Sequence, residues 1–271
     1  LIDLDRYPID RLQNKAGQML VAQCRSDLDD CAAAILPSFV RQAAITKMAE
    51  EAESLVQVAH RYDGDRVTFY EDDKKGCSDD DSLDSAVRSV RHPNRYCQIL
   101  NYQIPNHSDL RAIYLWPPLT EFIRQVLNVE HLFLSQCPHL ALTMKVAYEG
   151  DTDGWHYDPN DGVITLVLQT ADNGGEFEYA PNIRNKNDQN YAGVDRLFKS
   201  PDVEATRPML EPGTFTFFNG RHSMHRVRPV GSTRQPRIVS IFSFDQRPDH
   251  FFAQSYIDKL RSFPQGPPIV D

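Results

Sequence analysis

The run Trp155-His156-Tyr157-Asp158 carries the strongest chemical signal in the chain. Residues two apart on an extended strand project from the same face, so His156 and Asp158 can form two legs of a metal site. A third leg has to come from another strand, and the run MHRVRPV supplies His225. Two histidines and one carboxylate on one face of an octahedron leave three positions open, the arrangement used by non-heme Fe(II) oxygenases. His222 competes for the third place. It falls in the Asn219–Ser223 turn, whereas His225 shares a strand face with Val227, so His225 is preferred. A His-x-Asp pair alone arises often by chance as a polar pair on a strand. Here it follows a β run and Gly150, precedes the alternating strand VITLVLQ and has a strand-borne histidine downstream.

A site of this type needs an anchor for the distal carboxylate of its cosubstrate, ideally a guanidinium giving two parallel hydrogen bonds. Arg237 opens the apolar strand RIVSIFSF, where an arginine is costly unless its charge finds a partner. Arg234 is the runner-up and reads better as a solvated turn residue. Arg226 and Arg228 read as surface residues, and Trp155 and Tyr157 as packing aromatics. Asn160, Asp161 and Arg184 lie on loops near the motif, with turn formation or solvation the simpler account of each.

The elements that must position these residues divide the chain in two. Apolar positions at Leu12, Ala16, Met19 and Leu20 predict a helix over Asp10–Ser26, continued through Asp27–Ala34 and broken at Pro37. Ile45–His60 is an amphipathic helix with Glu50, Glu51 and Glu53 on its wet side, and Pro117–Val129 is another. Between them, Tyr62–Asn94, with the acidic run Asp79-Asp80-Asp81, reads as a surface excursion. After Leu140 seven short β-rich runs follow, ALTMKVAYE, WHYD, VITLVLQ, FEYA, TFTFF, MHRVRPV and RIVSIFSF, separated by glycine turns. Such spacing points to a sandwich, jelly roll or barrel. The polar stretch Asn182–Arg207 is expected to loop out over one rim. The expected organisation is one domain: helical support over 1–60, the excursion over 61–95, a catalytic core over 96–250 and a tail over 251–271.

Lys and Arg number 29 against 38 Asp and Glu, a formal net charge of −9, which argues against a phosphate-tracking, nucleic-acid-binding surface. No apolar run nears the roughly 20 residues of a membrane span, and the opening LIDLDRYPID lacks the layout of a signal peptide. Five dispersed cysteines without a C-x-x-C spacing fit reduced packing residues in a cytoplasmic setting and argue against structural zinc.

The segments WHYDPNDGVITLVLQ, GGEFEYAPNIR, LEPGTFTFFNGRHSMHRVRPV and RIVSIFSF together resemble the iron(II)/2-oxoglutarate-dependent dioxygenases. Within them the chain is similar to the branch of hydroxylases and radical halogenases of free amino acids and other small molecules. The likeness extends upstream to ILPSFV and IPNHSDLRAIYLWPPLTEFIRQVL, so it covers most of the chain. It implies His156, Asp158 and His225 as iron ligands and Arg237 as the 2-oxoglutarate anchor. It also implies a double-stranded β-helix (jelly-roll, cupin-like) core with N-terminal helices packed on it. Fe(II), 2-oxoglutarate and O2 are then the cofactor and cosubstrates, and a small molecule, by the resemblance an amino acid, is the substrate. Halogenating members of the branch have Gly or Ala where Asp158 stands, so the intact carboxylate makes hydroxylation the expected outcome. Two other readings stand beside this one: a cupin-type metalloenzyme of different chemistry, which leaves Arg237 without a task, and a non-catalytic jelly-roll binding module.

Overall fold

The structure is a computed structural model describing residues 1–69, 82–158, 163–249 and 252–268. In chain order the N-terminal half comprises α1 (Lys15–Cys31), β1 (Ala33–Leu36), α2 (Gln42–Leu55), β2 (His60–Val67), α3 (Ser82–Ser89), β3 (Arg91–Ile99), α4 (Asp109–Tyr114), α5 (Pro117–Val126) and β4 (Phe133–Leu134). The C-terminal half adds β5 (Leu142–Ala147), β6 (Thr152–His156), β7 (Val163–Gln169), β8 (Phe177–Ala180), α6 (Tyr191–Lys199), α7 (Pro201–Glu204), β9 (Phe215–Phe218), β10 (Met224–Val227), β11 (Arg237–Phe242), β12 (Phe244–Asp245) and α8 (Gln254–Arg261).

Ten strands form one antiparallel sheet in the order β1-β9-β7-β11-β5-β3-β6-β10-β8, with β2 paired to β3. The sheet curls into a half-barrel of double-stranded β-helix type, flanked by helices. Alternation along each strand dictates the two faces. Met144, Val146, Leu166, Phe215, Phe217 and Ile238 point outward into a core shared with α1, α2, α4 and α5. Thr165, Thr216, His225, Val227 and Arg237 line a cavity on the inner face. The outermost strands approach each other through side chains. Ala33 of β1 and Tyr179 of β8 share a buried cluster with Phe218, and the Tyr179 hydroxyl donates to the Cys31 carbonyl at 3.0 Å.

The helix expected over Ile45–His60 forms as α2 over Gln42–Leu55, because Ala44, Ile45, Met48, Ala49 and Ala52 recur at helical spacing and all are buried, but it ends before His60, which opens β2. Helix α5 opens on Pro117, which needs no backbone N–H in the first turn, and buries Leu119, Phe122, Ile123 and Val126. Several expectations need correction. Helix α1 begins at Lys15 and ends at Cys31, where Ala32 turns left-handed (φ 60°). The chain then enters β1, a four-residue strand paired with β9 that an apolar AAIL run cannot announce by periodicity. The stretch read as an excursion carries β2 and β3, paired residue by residue from His60↔Gln98 to Val67↔Arg91. Its sequence HRYDGDRV looks like loop because β2 pairs on one side only. Residues 70–81, including Asp79–Asp81, lie outside the described residues.

The third correction is that the stretch 182–207 is not bare loop. Asn190 caps α6 by accepting from the Gly193 N–H at 3.1 Å, and Tyr191, Val194 and Leu197 pack on Trp155 and Tyr157. Finally, the tail holds α8, whose Ile257 and Leu260 are buried against Leu100 and Cys137.

Arg226 and Arg228 are not simple surface residues. Glu178, fully buried on β8, accepts hydrogen bonds from Arg207, Arg226 and Arg228, and Arg226 also lies 4.6 Å over the Trp155 ring. Burial raises the pKa of a carboxyl, but the hydrogen bonds from Arg207 and Arg226 outweigh it and hold Glu178 below its ordinary value. A depressed carboxylate stabilises the fold above the ordinary range, and that contribution is lost as pH falls through the lowered value. Glu178→Ala removes the one carboxylate on which three guanidiniums converge. The expected loss is about 3–5 kcal/mol in urea unfolding at neutral pH, with a smaller difference from wild type in acid.

Candidate metal centre

His156 is the last residue of β6 and His225 the second of β10, and the two are directly paired across the ladder. Their ring centroids lie 4.0 Å apart. Each Nδ1 faces the carbonyl of the residue two positions earlier: His156 to Gly154 at 2.7 Å, His225 to Ser223 at 3.0 Å. A carbonyl only accepts, so each Nδ1 carries a proton, which reserves each Nε2 as the atom able to ligate a metal. Such backing is the usual second partner of a metal-bound imidazole.

Asp158 does not share the strand with His156, as its spacing suggested. Strand β6 stops at His156, and Asp158 follows just beyond, its N–H donating to the Gly220 carbonyl at 3.0 Å. Its carboxylate nevertheless meets both imidazoles, with Oδ1 3.8 Å from His156 Nε2 and Oδ2 3.1 Å from His225 Nε2. One atom from each of the three residues falls within 4.8 Å of the others, a set capable of coordinating a metal ion. Oδ2 is buried, and the one nitrogen near it is His225 Nε2, an atom that can hold either a proton or a metal. Three acceptor atoms facing one another inside a protein are costly unless a cation lies among them. The residues therefore fit a divalent metal.

Burial lowers the His156 pKa well below its ordinary value, with Arg66 and His225 adding to the effect, so the ring is neutral at pH 7. Burial would raise the pKa of Asp158, but with no metal between them a proton on His225 Nε2, 3.1 Å from Oδ2, outweighs it by charge and hydrogen bond, and the carboxyl is held at about 2. Neutral imidazole and ionised carboxylate are the protonation states in which these groups ligate metals.

Arg237 opens β11 and lines the same cavity as the three residues. It is buried, and its guanidinium has no hydrogen bond or ion pair among the described residues. Burial draws its pKa down to about 10, with the charge of Asp153 opposing, so it remains a cation at neutral pH. The chain leaves room for its stem at Gly175 (φ 71°), where a Cβ would sit 3.1 Å from Arg237 Cδ. Val163, Phe177, Val239 and Ile241 give the same cavity apolar walls, interrupted by the Thr165–Thr216 hydroxyl pair at 2.6 Å.

The remaining candidates lie elsewhere. Arg234 is 92% exposed and ion-paired to Asp172 at 3.0 Å. His222 sits in the turn with Nδ1 3.4 Å from Asn219 Oδ1, outside the metal-capable set. Arg184 lies 3.5 Å over the Tyr157 ring and donates to the Arg221 carbonyl, so it packs rather than hangs in solvent. Trp155 and Tyr157 are buried packing residues. Asn160 and Asp161 lie outside the described residues.

A buried charge network reaches the wall of the same cavity through Asp153 and Lys145. Asp153 pairs with Lys145 at 2.5 Å and Arg66 at 2.7 Å, and its Oδ1 stands 3.8 Å from His156 Nδ1. An acid three residues before His156 is visible in the sequence, but its partners come from β5 and from β2, whose polar run HRYDGDRV has no strand pattern of its own.

Solved structures with this fold are similar over nearly the whole chain. The epimerase SnoN, crystallised with Fe3+, α-ketoglutarate and nogalamycin RO, matches with a TM-score of 0.57 at 11% identity, covering 94% of this chain and 97% of that one. AviO1 from Streptomyces viridochromogenes matches with a TM-score of 0.55 at 13% identity over 86% and 97%. A 2OG-Fe(II) oxygenase family oxidoreductase from Burkholderia pseudomallei gives 0.50 at 13% over 87% and 93%. At these identities the likeness speaks to the fold alone. No curated protein sequence matches the chain. The family described as Halogenase D matches residues 78–256, more than half of the 271. With that match on this curled sheet and an intact His-Asp-His set, the chain belongs to the Halogenase D family, within the 2-oxoglutarate/Fe(II)-dependent oxygenase superfamily.

Proposed function

We propose that the protein is a single-domain Fe(II)/2-oxoglutarate-dependent dioxygenase that hydroxylates an unactivated C–H bond of a small molecule, with a free amino acid as the substrate class. The observation that carries this reading is one cavity holding both the three convergent ligand atoms and a buried guanidinium with no hydrogen bond or ion pair among the described residues. A cupin-type enzyme accounts for the first and leaves the second unexplained.

His156, Asp158 and His225 would hold Fe(II), which supplies oxidising power by coupling O2 reduction to the decarboxylation of 2-oxoglutarate. Arg237 would take the distal carboxylate of 2-oxoglutarate through two parallel charge-assisted hydrogen bonds. The apolar walls shield that pair from water and strengthen it. The Nδ1 bonds to Gly154 and Ser223 keep both rings from rotating, which fixes the metal-facing nitrogens. The amino-acid substrate rests on the sequence resemblance.

The family's description favours a second reading, halogenation. Asp158 argues against it, because its carboxylate occupies the place a halide would need beside the two histidines.

Anaerobic titration separates the oxygenase from its competitors. Fe(II) plus 2-oxoglutarate is expected to raise a visible metal-to-ligand charge-transfer band that neither component gives alone. A band with Fe(II) alone, or none with both, rejects the assignment. Succinate release across a panel of amino acids and small metabolites, with the product mass shift recorded, then tests substrate class and hydroxylation together.

A further inference from the structure

Asp158 lies beyond the end of β6, so no strand ladder fixes the height of its carboxylate. What it rests on is Gly220. The Gly220 carbonyl accepts the Asp158 N–H at 3.0 Å, and the Asp158 side chain folds back over the same residue. A Cβ built on Gly220 would lie 1.9 Å from Asp158 Oδ2, 2.8 Å from Cγ and 3.1 Å from Cβ. Ordinary carbon–oxygen contact begins well above 3 Å, so the carboxylate occupies the volume that any other residue at 220 would fill.

The turn bearing Gly220 has little freedom to withdraw. The Asn219 N–H is bonded to the Ala32 carbonyl at 2.9 Å, and the Asn219 side chain to Asn182 at 3.0 Å. On the other side, Ser223 donates its N–H to Asn219 and accepts that of Asn182. Gly220 is not among the residues with positive φ, so its backbone conformation suits an L-amino acid and strain is not the reason for glycine here. The reason is space for the carboxylate.

We infer that Gly220 is the positioning residue for the carboxylate of the metal site: its missing side chain is the seat from which Asp158 reaches the two Nε2 atoms. A methyl group at 220 leaves the pinned turn in place and rotates the carboxylate away from His156 and His225. This rests on the reading of Asp158 as a metal ligand.

The test is a double-mutant cycle read by anaerobic Fe(II) titration, with thermal melting of the metal-free proteins alongside. Gly220→Ala is expected to weaken Fe(II) binding about 10–100-fold, the range for loss of support to a ligand, with little change in apo melting. In an Asp158→Gly background, where nothing fills the space, Gly220→Ala is expected to change neither quantity. If Gly220→Ala does not fold but Asp158→Gly/Gly220→Ala does, the clash is with Asp158 and the inference stands. Wild-type Fe(II) affinity in Gly220→Ala overturns it, as does an equal loss of apo stability in both backgrounds. Unchanged Fe(II) affinity in Asp158→Gly alone instead removes Asp158 from the metal site.

Discussion

Asp158→Gly is expected to reduce native oxidation by more than about 100-fold, since even the outer partners of metal ligands are worth 10–100-fold. The carboxylate is ionised, with a pKa near 2, and stands between the two imidazoles. Removing it takes away both a donor atom and the only negative charge among the three ligands. His156→Ala and His225→Ala are expected to match this loss. His222→Ala is expected to leave a folded, active enzyme, because that ring faces Asn219 in the turn. The glycine variant also opens a position beside the histidines, and the family's description makes chloride the occupant to test. Little or no chlorinated product is expected. A vacancy does not move the substrate carbon nearer to the halide than to the competing oxygen, so uncoupled succinate release is the expected residue of activity. Succinate and product mass measured together in excess chloride check all of this. Hydroxylation at near-native rate in Asp158→Gly would leave the site without its carboxylate.

Arg237→Ala should raise the 2-oxoglutarate requirement by roughly 30- to 4,000-fold, the equivalent of losing about 2–5 kcal/mol of charge-assisted contact. The guanidinium is buried and cationic and forms no ion pair among the described residues, so none of these has to be broken for it to enter binding. Arg234→Ala should leave that requirement unchanged, because Arg234 is solvated and spends its hydrogen bonds on Asp172. Titration of the charge-transfer band with 2-oxoglutarate reads the effect as binding, apart from turnover. Equal effects of the two substitutions would mean that the anchor lies elsewhere.

The sequence by itself determined the residue types that meet at the centre and the architecture that carries them. His156, Asp158 and His225 stood out by residue type, spacing and strand context, and Arg237 because a guanidinium is costly in an apolar strand; all of these are legible without coordinates. The seven C-terminal strands were legible because alternation and glycine turns are local features. The helix α2 was legible because five apolar residues recur at its period.

Only the tertiary structure decided how these parts were supported. Strands β1 and β2 escaped the sequence because a strand is defined by its partner, and β9 lies nearly two hundred residues from β1 while β3 pairs with a polar β2. The helix α6 escaped because its apolar face answers to Trp155 and Tyr157, not to its own neighbours. The network of Asp153 with Lys145 and Arg66 joins three strands that no local pattern connects. Asp158 is the sharpest case. Its two-residue spacing from His156 suggested a shared strand face, yet β6 ends first. A backbone bond and an empty Cβ position at Gly220 bring the carboxylate to the same place. Spacing reports which groups can meet; the long-range contacts that hold them there depend on chain closure, which only the folded molecule specifies.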